Sequence, residues 1–157
     1  HQWEKQKIFE KRIELFDLIA PEINDLFCFY CYVGNWKELS PKNILEKKRK
    51  IDKYINIYSL FFSIGLSERY NSFINKCFDT FTGWGQDAKI KSEFEQRKLY
   101  GKHWKSRWEK HFNPVGTFSI EIIQEKYYEL MFFFKSDLTI CQPGIISNIK
   151  DSNINSE

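Results

Sequence analysis

Basic and aromatic side chains are concentrated between residues 98 and 112, where the chain reads KLYGKHWKSRWEKHF. Indole rings stack on nucleobases, and lysine and arginine side chains bind phosphate oxygens. The types and spacing of these residues therefore predict a surface that binds an anionic nucleotide or a short single-stranded nucleic acid. The candidate binding residues in this stretch are Lys98, Lys102, His103, Trp104, Lys105 and Arg107.

A further candidate contact is Trp84, which lies between Gly83 and Gly85 in the sequence TGWGQD. Glycine accepts a positive φ and lets the backbone approach a ligand closely, so Trp84 is a second candidate for stacking on a base. In the alternative interpretation, Gly83 ends a helix and Trp84 is tucked under the helices that follow. The motif is not G-x-G-x-x-G and no strand is predicted before it, which excludes a dinucleotide-binding fold.

The stretch from residue 98 to 112 also has a purely structural interpretation. If it is helical, its aromatic side chains fall on one stripe and its lysines on a neighbouring one. The stripe would then dock the segment onto the rest of the protein, and the lysines would be solvated. Both interpretations remain open at this stage. The aromatic stripe consists of Tyr100, Trp104, Trp108 and His111.

No catalytic signature is present in the chain. The sequence lacks H-E-x-x-H, G-x-S-x-G, a P-loop and the Glu-x-x-His motif of di-metal helical bundles. Cys28 and Cys31 form a C-x-x-C pair, but zinc would need two further ligands, and His103 and His111 lack the spacing of a zinc finger. We therefore predict no enzyme activity, no metal site and no cofactor, with the cysteines acting as small buried hydrophobic residues.

Long amphipathic helices are predicted to position these residues. The first helix runs from Trp3 to Val33, and Pro21 is expected to kink or break it near Ala20 because proline lacks a backbone donor. Its buried face is predicted from apolar spacings of three and four residues. The positions on that face are Phe9, Ile13, Phe16, Ala20, Ile23, Phe27 and Tyr30.

Three more main helices follow in the sequence. Ser40 and Pro41 are typical of a helix N-terminus, and this second helix is predicted to reach about Ser63, with Gly65 as its C-terminal cap. A third helix is predicted from the cap Ser67 to Phe81, ended by Gly83. The last covers residues 120–134, with Ile123, Tyr127, Leu130 and Phe134 on its buried face.

These elements predict an all-α fold, an antiparallel bundle of four main helices. Residues 1–140 form one helical domain, and residues 83–117 form an insertion between the third and last helices. Helices are expected within the insertion at residues 89–100 and 102–112. Residues 141–157 mix Pro, Gly, Ser and Asn with scattered isoleucines, which predicts a flexible tail.

Charge is distributed unevenly along the chain, although the net charge is only +3. Residues 84–112 carry eight Lys or Arg against four Asp or Glu, and residues 42–53 carry six against two. Such local asymmetry favours an anionic partner. The modest total and the lack of a helix-turn-helix argue against duplex DNA.

Cysteine content and hydropathy bear on the location of the chain. Four cysteines are too few for a disulfide framework at this length, which favours a reducing compartment. The longest charge-free run through the apolar stretches covers residues 54–67, too short to span a membrane. The chain begins with His1 and not Met, from which we expect that a segment precedes it.

Three stretches resemble small bacterial membrane-anchored proteins that have a hydrophobic N-terminal anchor and a helical cytosolic domain. They are HQWEKQKIFEKRIELF, NDLFCFYCYVGNWKEL and CFDTFTGWGQDAKI, within residues 1–90. The layout of an anchor and a small cytosolic sensor is similar to that of CRISPR-associated membrane effectors gated by cyclic oligoadenylate. The resemblance implies a location on the cytoplasmic face of the bacterial inner membrane and a role in antiviral defence.

The expected function is that of a non-enzymatic cytosolic sensor domain that binds an anionic nucleotide messenger, such as a cyclic oligonucleotide, as a homo-oligomer. In this hypothesis Lys98, Lys102, Lys105 and Arg107 contact phosphates, and Trp104 or Trp84 stacks on a base. Two alternatives remain: a scaffold or oligomerisation domain without a small ligand, and a module that binds single-stranded nucleic acid.

Overall fold

The computed structural model describes residues 1–100 and 103–139, and these are mostly helical. The predicted all-α class is confirmed in this broad form, with one small two-stranded sheet added. The predicted flexible tail, residues 141–157, and the candidate Lys102 lie outside the described residues. The elements in chain order are α1 (Gln2–Cys31), α2 (Pro41–Tyr58), α3 (Leu66–Cys77), β1 (Phe78–Asp79), β2 (Lys89–Ile90), α4 (Glu95–Tyr100) and α5 (Ile120–Thr139).

Helix α1 passes through Pro21 without interruption, so the predicted break near Ala20 is wrong. Of the predicted buried face, Phe9, Ile23 and Tyr30 are buried and Phe16 and Phe27 pack against the core, whereas Ile13 is 40% exposed. The helix contacts both α2 and α5. A helix held between two neighbours buries more than one narrow stripe, which a single apolar spacing does not capture. Its buried residues are Phe9, Leu15, Ile19, Ile23, Leu26, Cys28, Phe29, Tyr30 and Cys31.

The N-terminus of α2 forms as predicted. The Ser40 hydroxyl accepts a hydrogen bond from the Asn43 backbone N–H (3.1 Å), and the Asn43 side chain accepts one from the Ser40 N–H (3.0 Å). This reciprocal box satisfies two backbone donors that a helix start otherwise leaves unpaired. The helix ends at Tyr58, earlier than predicted, and a 3₁₀ turn, Ser59–Phe61, follows it. Gly65 does not cap α2 but precedes α3, with a φ of 114°.

Helix α3 ends at Cys77, where the chain enters an antiparallel hairpin instead of continuing to Phe81. Phe78 pairs with Ile90 and Asp79 with Lys89, and residues 80–88 close the hairpin. The hairpin was not predicted, and it replaces the start of the helix expected at residues 89–100.

The insertion contains less α-helix than predicted. Only α4 is α-helical among its described residues, while Ser106–His111 is a 3₁₀ helix and His103 has a φ of 60°. The side chains of Tyr100, Trp104, Trp108 and His111 therefore do not form one α-helical stripe, which corrects the expectation from their spacing. The segment returns to the hairpin, where the Asn113 N–H donates to the Ile90 carbonyl at 2.7 Å. This contact with the hairpin joins residues far apart in the sequence, so the spacing of residues within the insertion does not predict it.

The core lies where α1, α2, α3 and α5 contact one another. Ile23, Phe73, Leu130 and Phe134 are completely buried there, and burial of each such side chain contributes about 1.5–3 kcal/mol. Three of the four positions predicted for α5, Ile123, Leu130 and Phe134, are buried. Within residues 1–100 and 103–139, no helix combines the length and the apolar character that a membrane span requires.

Candidate functional site: the Arg97 pocket

Arg97 is a buried cation in α4, with only 3% of its surface exposed. Its Nη2 atom donates to the Phe29 carbonyl at 3.0 Å, and Nε and Nη2 both donate to the Ser92 hydroxyl, at 3.0 and 2.9 Å. The guanidinium carbon lies 3.6 Å from the centre of the Phe29 ring and 4.3 Å from that of Tyr32. These contacts fix the plane of the guanidinium group between α1 and α4.

Arg97 forms no ion pair with a carboxylate among the residues that the structure describes. Glu93 is nearby, but its carboxylate accepts the Tyr32 hydroxyl at 2.6 Å. Burial lowers the pKa of Arg97, and Tyr32, Tyr30 and Glu93 oppose that shift; arginine nevertheless stays protonated in proteins. Its Nη1 atom is buried and has no hydrogen-bond partner in the described part of the chain. A buried charged donor in this condition is energetically unfavourable, and an anion would satisfy it.

Arg97 lines a pocket, called here the Arg97 pocket, with a cavity volume of about 70 Å³. One wall comes from the connection between α1 and α2, and the other from the insertion. The volume is several times what one water molecule needs, and it admits a group of the size of a phosphate or carboxylate. The lining includes one exposed carboxylate, that of Glu38, beside Lys37. The other polar or aromatic residues of the lining are Phe29, Trp36, Ser40, Arg97, Trp104 and Trp108.

Trp104 contributes a second unpaired donor to the same pocket. Its ring packs against Phe94, Trp108 and Phe112, with centroid distances of 6.4, 5.4 and 5.8 Å. The indole Nε1 is buried and, like Arg97 Nη1, lacks a hydrogen-bond partner within the described residues. The ring thus docks the insertion onto the core, as the structural interpretation expects.

Lys37 adds a second cation at the edge of the pocket. Its Nζ atom lies 5.6 Å from the centre of the Trp36 ring and 5.7 Å from that of Tyr100. Sequence analysis missed both Lys37 and Arg97, because neither stands out from the many basic residues of the chain. The only sequence feature that could have indicated them is an aromatic residue close by in the chain, Trp36 for Lys37 and Tyr100 for Arg97.

The structure brings only some of the predicted binding residues to this pocket. Trp104 lines it, and Lys105 lies close by, with Nζ 5.9 Å from the centre of the Trp108 ring. Lys98 forms ion pairs with Glu109 and with Glu95, and the hydrogen bond with Glu109 raises the pKa of Lys98.

The remaining predicted residues do not line the pocket. His103 and Arg107 are exposed. Trp84 is 93% exposed and contacts Phe81, so it is not tucked under the helices. Of the predicted binding residues that the structure describes, only Trp104 lines the Arg97 pocket.

The second basic cluster, residues 42–53 on α2, is largely neutralised by acidic neighbours. Lys47 lies 2.9 Å from both Glu22 and Asp25, and Lys50 lies 3.0 Å from Glu22. The remaining pairs in the cluster are Lys42 with Glu46, Lys48 with Asp52 and Arg49 with Asp87. Pairing of this kind leaves little charge for an anionic ligand on this face of α2.

The pair formed by Glu22 and its lysines predicts an acid-sensitive contribution to stability. Burial raises the pKa of Glu22, but the hydrogen bonds and charges of Lys47 and Lys50 outweigh it and lower the pKa from its ordinary value of 4.5. A carboxyl group with a lowered pKa stabilises the fold above its unfolded pKa, and this contribution is lost as pH falls through the folded pKa. At pH values below about 4.5, we expect the melting temperature to decrease as the pH is lowered. Glu22→Gln should make this decrease smaller.

Thermal melts between about pH 7 and pH 3 measure this dependence. Glu121→Gln is the matched control, since Glu121 is exposed at the start of α5 and has no ion pair in the described residues. An unchanged pH dependence in Glu22→Gln would contradict the assignment.

In residues 1–100 and 103–139, no group of three or more His, Cys, Asp and Glu side chains is arranged to hold a metal ion. Cys28, Cys31 and Cys77 are buried free thiols, and burial raises the pKa of Cys31 to about 11. At that pKa the thiolate is scarce near neutral pH, so the group is a weak nucleophile.

The chemistry that the Arg97 pocket offers is the binding of an anion between aromatic walls. Arg97 and Trp104, each with a buried donor that lacks a partner in the described residues, belong to its lining, together with Lys37 and the carboxylate-bearing Glu38. This conclusion depends on the geometry alone, because no protein-family model matches the chain and no match is found among curated proteins or among solved structures.

Proposed function

We propose that this chain is a non-enzymatic sensor domain that binds an anionic nucleotide at the Arg97 pocket. The observation that carries the proposal is the buried guanidinium of Arg97, whose Nη1 atom has no partner in the described residues. One phosphate oxygen would accept from Arg97 Nη1, and another from the indole N–H of Trp104. Oxyanions with several acceptor atoms suit such a pair of donors.

The surroundings of the pocket favour a nucleotide over a bare anion. The volume of about 70 Å³ holds a phosphate but not a base, so the base would lie outside, against the partly exposed rings of Trp36, Trp108 or Tyr100. Stacking contributes about 1–3 kcal/mol per base, and a hydrogen bond to a charged group about 1.5–3 kcal/mol. One stacked base and two such bonds reach, at their upper end, the roughly 8 kcal/mol of a micromolar complex.

The wider context is also part of this proposal. The domain would act at the cytoplasmic face of the bacterial inner membrane, held there by an N-terminal anchor, and would respond to a cyclic oligonucleotide in antiviral defence as a homo-oligomer. In the corresponding description of the fold, α1, α2, α3 and α5 form an antiparallel four-helix bundle that carries the insertion. The mutual contacts of these four helices support that description.

Thermal melts in the presence of nucleotides test the proposed function. The chain is titrated with cyclic tri- and tetra-adenylate, ATP, a short polyadenylate and inorganic phosphate, with tryptophan fluorescence recorded in parallel. At a ligand concentration of about 100 times Kd, binding stabilises the fold by about 2.7 kcal/mol, which raises the melting temperature by several degrees. A preference for polyadenylate over the cyclic ligands would indicate single-stranded nucleic acid as the partner.

Lys37→Ala provides the matched mutation in this titration. Loss of its charge at the edge of the pocket should weaken the best ligand about fivefold to tenfold. Lys42→Ala is the control, because Lys42 is exposed on α2 and does not line the Arg97 pocket. If no anion changes the melting temperature and ultracentrifugation finds a salt-insensitive oligomer, the scaffold function replaces the proposed one.

A further inference from the structure

The loop of residues 80–88, which closes the β1–β2 hairpin, exposes two large aromatic side chains. Trp84 is 93% exposed and Phe81 is 72% exposed, and their ring centres lie 5.9 Å apart at an interplanar angle of 83°. Neither side chain lines the Arg97 pocket. Exposure of such apolar rings to water is unfavourable. Their position at the tip of a loop therefore suggests that they are buried against a binding partner.

Hydrogen bonds hold the loop in the conformation that presents the two rings. Gly83 and Gly85 have φ angles of 151° and 71°, which other residues rarely adopt. The Gln86 N–H donates to the Gly83 carbonyl at 3.2 Å, and the Thr82 hydroxyl donates to the Asp87 carbonyl at 3.2 Å. The aromatic tip is thus held by a defined turn.

Positive charge surrounds the base of the loop. Asp87 is paired with Arg49 of α2, and Asp79 lies 3.5 Å from Lys91, so the two acidic residues that flank the tip are already matched. Lys89 donates to the Lys110 carbonyl, which brings these two lysines together.

The two lysines at the base of the loop have no acidic partner in the described part of the chain. Neither Lys89 nor Lys110 forms an ion pair among residues 1–100 and 103–139. The face that carries the two rings is therefore basic overall.

We propose that the loop of residues 80–88 docks on an anionic lipid surface. The rings of Phe81 and Trp84 enter the headgroup region, and Lys89 and Lys110 contact the lipid phosphates. Tryptophan and phenylalanine partition into the membrane interface, and nearby basic residues strengthen the contact when the lipids are acidic.

The size of the exposed aromatic surface favours a membrane over a protein partner. A phenylalanine or tryptophan buries about 150–250 Å² at most, whereas a stable protein interface buries about 800 Å² on each side. Two rings are therefore too small for a protein interface of ordinary size, but two rings with basic neighbours suffice for reversible membrane binding. The inference goes beyond the proposed function, since vesicle binding needs no nucleotide and either can fail without the other.

Co-sedimentation of the 157-residue chain with lipid vesicles tests this proposal. Vesicles of phosphatidylcholine with about one third phosphatidylglycerol should bind the chain at least about tenfold more tightly than pure phosphatidylcholine. Trp84→Ala should weaken binding to the acidic vesicles about tenfold, and Lys110→Glu at least about fivefold. Both side chains are exposed, so the variants are expected to fold, and a thermal melt verifies that.

Trp3→Ala is the matched control for Trp84→Ala. Trp3 is also an exposed tryptophan with a cation nearby, Lys7 Nζ at 5.8 Å from the ring centre, but it lies at the start of α1. This variant should bind the acidic vesicles like the unmodified chain. The proposal is overturned if the acidic vesicles do not sediment the chain, which is the outcome expected of a protein partner, or if Trp84→Ala and Trp3→Ala bind equally well.

Discussion

Replacement of Arg97 with glutamine is expected to weaken nucleotide binding at least about 30-fold. Loss of one member of a buried charged contact with a ligand costs about 2–5 kcal/mol, and Arg97 supplies the only charge buried within the pocket among the described residues. Glutamine retains donors but neither the charge nor the planar fork that faces Phe29, Ser92 and the pocket. Isothermal titration calorimetry with the best ligand measures the loss directly.

Arg107→Gln is the comparison that distinguishes the pocket from the surface predicted by sequence. Arg107 is exposed and does not line the Arg97 pocket, so its replacement should change the affinity by less than about threefold. The Arg97→Gln variant also loses hydrogen bonds to Phe29 and Ser92, so its ligand-induced melting shift is compared with its own unliganded melt. A large loss with Arg107→Gln and none with Arg97→Gln would place the ligand on the outer surface.

Replacement of Asp137 with alanine is expected to lower the free energy of unfolding by about 3 kcal/mol. Asp137 is 2% exposed, and its carboxylate accepts hydrogen bonds from the backbone N–H of Ser63 at 2.7 Å and from the Ser63 hydroxyl. Each hydrogen bond to a charged group contributes about 1.5–3 kcal/mol. For a chain of this length the melting temperature should fall by about 6–12 °C.

Arg12 of α1 also binds main-chain oxygens in this region, and these acceptors remain in place when the Asp137 side chain is removed. Arg12 of α1 donates to the Phe61 carbonyl at 2.5 Å and to the main-chain oxygen of Asp137 at 3.4 Å. Asp137→Asn keeps one acceptor for Ser63 and should lose about half as much stability, while Lys135→Ala, at an exposed position two residues earlier, should lose almost none. Equal melts for Asp137→Ala and Lys135→Ala would contradict this role.

Local signals in the sequence predicted the elements whose ends depend on local chemistry. Ser40 and Pro41 start α2 because their hydrogen bonds and backbone preferences act within a few residues. Helix α5 buries Ile123, Leu130 and Phe134 as its spacing indicates, and it does so while contacting both α1 and α3. On α1, the predicted positions Phe9, Ile23 and Tyr30 are buried, whereas Ile13 is exposed.

The hairpin and the candidate site depend on contacts between distant residues, which no spacing reveals. The pairing of Phe78 with Ile90 ends α3 early and turns the chain away from the helix predicted there. Arg97 appeared in the sequence as one basic residue among many. Its burial results from the docking of α4 against Phe29 of α1, a contact between residues far apart in the chain. The types of residue in the site were thus predictable in part, but their assembly was not.

The two connections that wall the Arg97 pocket lie outside the four helices that build the core. Lys37 and Ser40 precede α2, and Trp104 and Trp108 follow α4, whereas the core is built from α1, α2, α3 and α5. Substitutions at the exposed Lys37 can alter the charge of the opening without disturbing interior packing, because loop positions tolerate change. Homologues with other residues at position 37 would thus differ in the charge at the pocket opening while keeping the same helical core.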